Sequence, residues 1–375
     1  MNFIKRNREL SLLERIRDEL KRKNKIPPGT SHHLTIHDRK LLEKIRNQTK
    51  EFNLNNVTRT KAYLEFYLKH PEIQWAFLGH MVSRNGGYNM TDLKGELLTR
   101  LMSKRDCNKF FSFLERGNWL IFQDVYPQFL VYEESLRQHK PLFYLFSYLN
   151  VSTFMETIWN FFWKEQDRYI HCIALVINEQ SYLEKRVVQN SVYQKDVLNK
   201  FEFYLQDWLS FNHILFPHGE GDLKGQTLHQ FESVNERILL GKRLYTILFK
   251  DQAFLKRAVE WAKSHPHTGS RKDYWPHIFN HVHEGIPGLS YPLRLKSCQL
   301  RKGARRFYSP TLENAWKNVS QPEAEQGDWF EDWRVVDYLI EDDEMIDGEI
   351  KNEYCKTLER LEIAAVAKKT INFLE

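Results

Sequence analysis

Apolar residues at helical spacing, capping residues just ahead of them and a near absence of alternating runs predict an all-α protein. The expected architecture is an irregular multi-helix bundle. It comprises a basic N-terminal helix and linker over residues 1–30, one main helical domain over residues 31–310 and an acidic arm over residues 311–375 that ends in a helix and packs back on the main domain. With 375 residues, 42% hydrophobic and 14% aromatic, the chain can fill one large core, which excludes disorder for most of it.

The elements follow in order. Leu10, Leu12, Leu13, Ile16 and Leu20 form the stripe of a first helix, and Pro27-Pro28-Gly29 breaks it. Thr35 stands where an N-cap is needed for IHDRKLLEKIRNQTKEF. Thr58 or Thr60 is the expected cap of AYLEFYLKH. Pro71 opens PEIQWAFLGHMVSR, and Gly86 or Gly87 is expected to end it in a left-handed cap. Asn89 and Asp92 then suit the start of NMTDLKGELLTRLM. Helical patterning continues through FFSFLERGNWL, QFLVYEESLRQ, KDVLNKFEFYLQDWLSFNHILF and TLHQFESVNERILLGKRLYTILF. IHCIALVINEQ, residues 170–180, fits a buried helix or a strand equally. No repeat of solenoid length occurs. Composition turns loop-like near residue 285, and a last helix is expected from Ile350 onward.

Residues 141–163 hold Glu156 as their only charge, yet Asn, Ser and Thr dilute them and aromatics run through their middle. A buried helix broken near Asn150 is expected, with no membrane insertion. Cys107, Cys172, Cys298 and Cys355 are widely spaced and match no disulfide framework or metal motif, which predicts free thiols in a reducing cytosol. The N-terminus has no secretory pattern, so a cytoplasmic location is expected. Net charge is +6 but unevenly spread: residues 1–50 carry 14 Lys and Arg against 6 acids, and residues 311–375 carry 7 against 17. The two ends either face each other or meet charged partners.

Five histidines lie between His265 and His283. Asp273, Pro276 and Gly285 suit a short helix through PHIFNHVHE, which would put His277, His281 and Glu284 on one face as HxxxHxxE. Two imidazoles and a carboxylate so placed can hold Zn²⁺ or Fe²⁺, although Ile278 stands where a zinc protease has its glutamate. Ahead of them, Ser270, Arg271 and Lys272 at a helix start suit an anion. A second group, His80, Arg84, Asn89 and Asp92, has the residue types for acid–base work and anion clamping. Capping and core packing explain the same residues without chemistry. A helix-turn-helix between Pro71 and Met102 is disfavoured, because its second helix offers only Lys94 and Arg100 as cations. Arg294, Lys296, Arg301, Lys302, Arg305 and Arg306, with Phe307 and Tyr308, would suit nucleic acid unless residues 341–349 neutralise them.

Residues 55–96 (NNVTRTKAYLEFYLKHPEIQWAFLGHMVSRNGGYNMTDLKGE) and 267–279 (HTGSRKDYWPHIF) resemble the YppC-like family of bacilli, whose members carry a domain of unknown function. The similarity runs over most of the chain beyond the first helix. It implies a cytosolic bacterial protein and supplies no mechanism and no catalytic residues.

The expectation that follows is a pocket where residues 80–92 and 267–284 meet and bind an anionic small molecule. In it His80, Asp92 and His277 would act as catalytic groups, Arg84, Asn89, Arg271 and Lys272 would hold the ligand, and His277, His281 and Glu284 would hold a metal, as in a metal-assisted hydrolase. The alternative is a nucleic-acid-binding or scaffold protein that uses its basic segments.

Overall fold

A computed structural model describes residues 2–25, 33–191, 213–228, 230–284, 292–341 and 346–371. Helices dominate them, joined by strands of only two to five residues. The linker at Pro27–Gly29, the start of the helix expected over residues 195–216 and Gly285 lie outside the described residues.

Side-chain caps set most helix starts. Helix α1 (Asn2–Lys23) is followed by α2 (Ile36–Phe52), where the Thr35 hydroxyl accepts the Asp38 N–H at 3.1 Å and the Asp38 carboxylate accepts the Thr35 N–H at 2.9 Å. Helix α3 (Asn56–Lys69) is capped by Asn55, not by Thr58 or Thr60; Thr58 instead closes the box from the third helical position.

Helix α4 (Gln74–Asp92) departs most from the sequence expectation. It runs straight through Gly86 and Gly87, so Asn89 and Asp92 are helical residues and cap nothing, and the helix-turn-helix pattern is absent here. The glycines serve close approach. A Cβ on Gly87 would fall 2.3 Å from Asn56 Oδ1 and 2.4 Å from His267 Nε2, so only glycine lets those groups meet the helix.

After α5 (Leu98–Leu101), two expected helices merge into α6 (Lys104–Gln138), which contains Gly117 and Pro127. The apolar segment is broken where expected: a 3-10 turn (Phe143–Leu149) ends at Asn150 with φ 59°, and α7 (Thr153–Glu165) restarts at the Ser152 cap. Among the described residues no helix is long and apolar enough to cross a membrane. Residues 170–180 are helical, inside α8 (Arg168–Leu183), which is buried from Ile170 to Asn178.

Strands β1 (His213–Pro217) and β2 (Leu223–Thr227) form an antiparallel hairpin with Leu215 opposite Gly225, where continued helix was expected. Helices α9 (Val234–Phe249) and α10 (Gln252–Ser264) start at Ser233 and Asp251. The helix expected over residues 276–284 does not form. A 3-10 turn (Arg271–Asp273) leads to β3 (Phe279–Asn280), which pairs in parallel with β6 (Phe307–Tyr308). The Ile278 and Asn280 carbonyls accept N–H groups of Phe307 and Ser309 at 2.9 and 2.8 Å, so a long-range partner takes the backbone that a local helix would have used.

Strands β4 (Leu295–Lys296) and β5 (Gln299–Leu300) make a small hairpin, followed by α11 (Leu312–Ala315), a 3-10 turn (Trp333–Leu339) and α12 (Lys351–Ile371). Cys298 on the hairpin turn and Cys355 on α12 form a disulfide, with Cα atoms 5.3 Å apart; Cys107 and Cys172 are free and buried. The expectation of four free thiols is therefore corrected, and cysteine usage no longer argues for a reducing compartment. The chain ends touch: Arg17 pairs with Asp337 at 2.9 Å while Arg15 and Lys23 pair with Glu165 and Glu156 of α7. These pairs are partly exposed and add little stability each.

Helix α4 sits at the centre, packed against α3, α6, α8, α9, β1 and α11. Its two long faces meet different surroundings, and the candidate site follows from that division.

Candidate functional site

The 3.6-residue period places His80, Arg84 and Tyr88 on one stripe of α4, and this stripe meets residues 265–274. The two polar blocks thus come together. His80 donates from Nδ1 to the Thr60 carbonyl at 2.8 Å, and burial followed by the Arg84 charge holds it well below its ordinary range, hence neutral. Arg84 donates from Nε to the Tyr88 hydroxyl at 3.1 Å and from Nη1 to the His265 carbonyl at 2.8 Å, lies over the Trp261 ring, and approaches Asp273 to 3.8 Å. His267 donates from Nε2 to Asn56 Oδ1 at 2.8 Å and turns Nδ1 toward Asp273 at 3.5 Å. Burial pushes its pKa down to about 4 despite the carboxylate. His80 Nε2, Arg84 Nη2 and His267 Nδ1 are buried without a hydrogen bond; the last two both face Asp273.

Arg271 occupies the next turn of this seam. Its Nε and Nη2 grip Asp92 at 2.6 to 2.9 Å, Nη1 reaches the Tyr274 and Tyr354 hydroxyls at 2.7 Å each, and Nη2 also reaches Asn89 at 3.3 Å. All five guanidinium protons have acceptors. Gly269, at φ +84°, lets this loop press against α4, where the Thr91 hydroxyl donates to its carbonyl at 2.6 Å. The cations expected to clamp an anion, Arg84 and Arg271, are therefore already committed to Asp273 and Asp92.

The expected metal triad has a different fate. With no helix over residues 276–284 its three side chains share no face. His277 is exposed beside Trp275, His281 accepts from Lys272 Nζ at 2.9 Å, and Glu284 is held by Arg306 and Asn280. Arg306 pulls Glu284 down to about 2. Among the described residues no group of three or more His, Cys, Asp or Glu is placed to hold a metal ion. In the basic stretch Arg294 pairs with Glu96 at 3.0 Å and Glu362 at 3.4 Å, and Arg306 with Glu284. The neutralising acids seen there are these three; residues 342–345 of the acidic segment lie outside the described set.

The opposite face of α4 borders a cavity of about 250 Å³. Leu78, Val82 and Gly86 of α4, Gly117 and Ile121 of α6, Val176 and Leu183 of α8, and Leu240 and Leu244 of α9 wall it. Gly117 has room: a Cβ there would meet only Leu183 Cδ2, at 3.9 Å. Most polar groups at the wall are already paired. Arg59 forms a buried ion pair with Glu115, Ser83 shares its hydroxyl with Thr60, and Arg237 is held by Gln180, Glu184 and the Phe231 carbonyl.

Glu179 is the exception. It takes one hydrogen bond, from Gln180 Nε2 at 2.9 Å, and no ion pair among the described residues. It is half-buried and lines the cavity. Loss of solvation raises its pKa to about 8, outweighing the nearby Arg237 charge and the Gln180 hydrogen bond. Sequence reading missed Glu179 and Gly117. The available signals were an acid closing an otherwise apolar buried helix and a glycine inside a long helical pattern.

These features define a mainly helical protein with a densely paired polar seam on one side of its central helix and an apolar cavity on the other. The chain belongs to the family described as "Protein of unknown function (DUF2515)", which it matches over residues 51–355. It is similar to the "Uncharacterized protein YppC" of Bacillus subtilis strain 168, 45% identical over 235 residues that cover 63% of this chain and 73% of that protein. No solved structure matches it.

Proposed function

We propose that this protein binds a small, largely apolar molecule in the cavity between α4, α6, α8 and α9. The observation that carries this reading is about 250 Å³ of space walled mainly by aliphatic and aromatic side chains. Ligand sites are concave, mostly apolar hollows with a few polar groups at the wall, and an apolar wall left unfilled forfeits dispersion contacts. An apolar cavity of roughly 150 Å³ accommodates benzene, so this one suits a body of about ten heavy atoms. The anion-binding, metal-assisted hydrolase reading gives way to it, since Arg84 and Arg271 already have their carboxylates and His277, His281 and Glu284 lie apart.

Thermal unfolding with propylbenzene tests the reading. Ligand at 100 times its Kd stabilises a native state by about 2.7 kcal/mol, so the wild-type Tm should rise clearly. Gly117→Leu, which puts a side chain into the open space without a clash at Cβ, should abolish the rise. No rise in the wild type, or an equal rise in the variant, overturns the proposal.

A further inference from the structure

We infer that the cavity ligand is an amine, an apolar body carrying one protonated nitrogen that pairs with the Glu179 carboxylate; this rests on the cavity being a binding site at all. An ionised ligand entering an apolar cavity loses its hydration and must find an opposite charge with capacity to spare. An anion finds no uncompensated cation at this wall. Arg59 keeps one unpaired N–H, at Nε, but its charge is neutralised by Glu115, whose carboxylate meets Nη2 with both oxygens, and Arg237 commits its guanidinium to Gln180, Glu184 and the Phe231 carbonyl. A cation finds Glu179, which lines the cavity, takes a single hydrogen bond from Gln180 and has no ion pair among the described residues.

The charged and titratable groups around Glu179 agree with this selection. From α9 it meets Arg237; from α3 come Arg59, neutralised by Glu115 of α6, and Tyr63; from its own helix comes Cys172. The tyrosine and thiol stay protonated at neutral pH, because burial raises both. Glu179 is therefore the group whose charge changes when a cation arrives. At pH 7 the empty site holds Glu179 mostly protonated, since its pKa is raised to about 8. Binding of an ammonium ion ionises the carboxyl and releases its proton to solvent, so charge and atoms balance. The apolar body then fills the remaining space.

The test compares two probes of equal size, phenethylamine and propylbenzene, with phenylpropionate as the anionic counterpart, by titration calorimetry on the full chain. Phenethylamine is expected to bind at least about tenfold tighter than propylbenzene, with proton release visible as a heat that depends on the buffer's ionisation enthalpy. Phenylpropionate is expected not to bind. In Glu179→Gln the amine should fall below propylbenzene, because its ammonium then has no counter-charge, and the proton release should vanish, while Gly117→Leu should lose both ligands. Equal affinity of amine and hydrocarbon in the wild type overturns the amine assignment and leaves the cavity reading standing. Absence of binding by all three overturns both. The wild-type comparison decides the assignment even where a variant fails to fold.

Discussion

The two faces of α4 hold opposite kinds of interior. On the His80–Arg84–Tyr88 face, charged and polar side chains crowd together and consume one another: Arg271 has five acceptors, and Asp273 takes the Thr268 N–H and hydroxyl while facing Arg84 and His267. On the Leu78–Val82–Gly86 face a single acid, Glu179, stands at an apolar wall with capacity unused. Density of reactive residue types is therefore a poor guide to function in a buried place. Charges removed from water must be paired, so a dense cluster tends to close on itself, whereas a binding site shows as unmet capacity beside open space.

Opening the seam should cost the most stability. Arg271→Ala removes the partner of largely buried Asp92 and the donor shared by the Tyr274 and Tyr354 hydroxyls. Breaking a buried pair by deleting one partner costs about 3–5 kcal/mol, since the other charge stays behind unpaired. Urea denaturation should show that loss at pH 7. A loss below about 1 kcal/mol, as for an exposed pair, would mean that the seam is not the anchor between α4, residues 267–274 and α12.

Stability against pH separates the two faces by sign. In the seam, His267 falls from 6.5 to about 4 on folding, and His80 is lowered as well. Buried neutral His171, pushed to about 3, behaves alike. Folded-state pKa values below the unfolded ones mean that the unfolded chain binds more protons as pH drops below 6.5, so the histidines cost stability on the acid side. At the cavity, Glu179 rises from 4.5 to about 8. There the native state keeps a proton that the unfolded chain has released, so stability falls as pH climbs toward 8. Asp124, raised from 3.8 to about 7, adds to this limb. Above pH 6.5 only the carboxyl limb remains. One proton held by the native state alone costs about 1.4 kcal/mol for each pH step of one, so a decline of roughly 1–2 kcal/mol by pH 8 is expected. Glu179→Gln should flatten most of it. An unchanged slope in that variant would place the titrating group elsewhere.

How much of this could be read in advance depended on the range of the interaction that decides each residue. Thr35 with Asp38, and the break at Asn150, rest on neighbours within a turn, and pattern alone located them. Gly86 and Gly87 look like a stop signal locally. Their role is set by Asn56, Asn118 and His267, which come from elsewhere in the chain. HxxxHxxE failed for the same reason: β6 captures the backbone at Ile278 and Asn280, and the helical stripe never forms. Cys298 and Cys355 are 57 residues apart, a separation that carries no local pattern. That residues 80–92 and 267–274 meet was inferable from their chemistry, because buried charges need partners. That Arg271 would spend all its donors inside the seam was not.

The smallest expected effect concerns a glycine on each face. Gly87 is needed where it stands, since a Cβ would press within 2.4 Å of Asn56 and His267, and no flexible end can move aside without breaking the hydrogen bond between them. Gly117 has no such neighbour. It sits inside α6, where glycine loses more backbone entropy than alanine and fills nothing. A protein selected only for stability would gain from alanine there, and Gly117→Ala should raise unfolding free energy by about 0.5–1 kcal/mol, read as a higher urea midpoint at unchanged m-value. If the cavity is a binding site, that gain carries a cost, because the added methyl takes part of the ligand's space. Stabilised apoprotein with weakened propylbenzene binding would show that the glycine is kept for the ligand; stabilisation with binding intact would show that this part of the wall lies outside the ligand's reach.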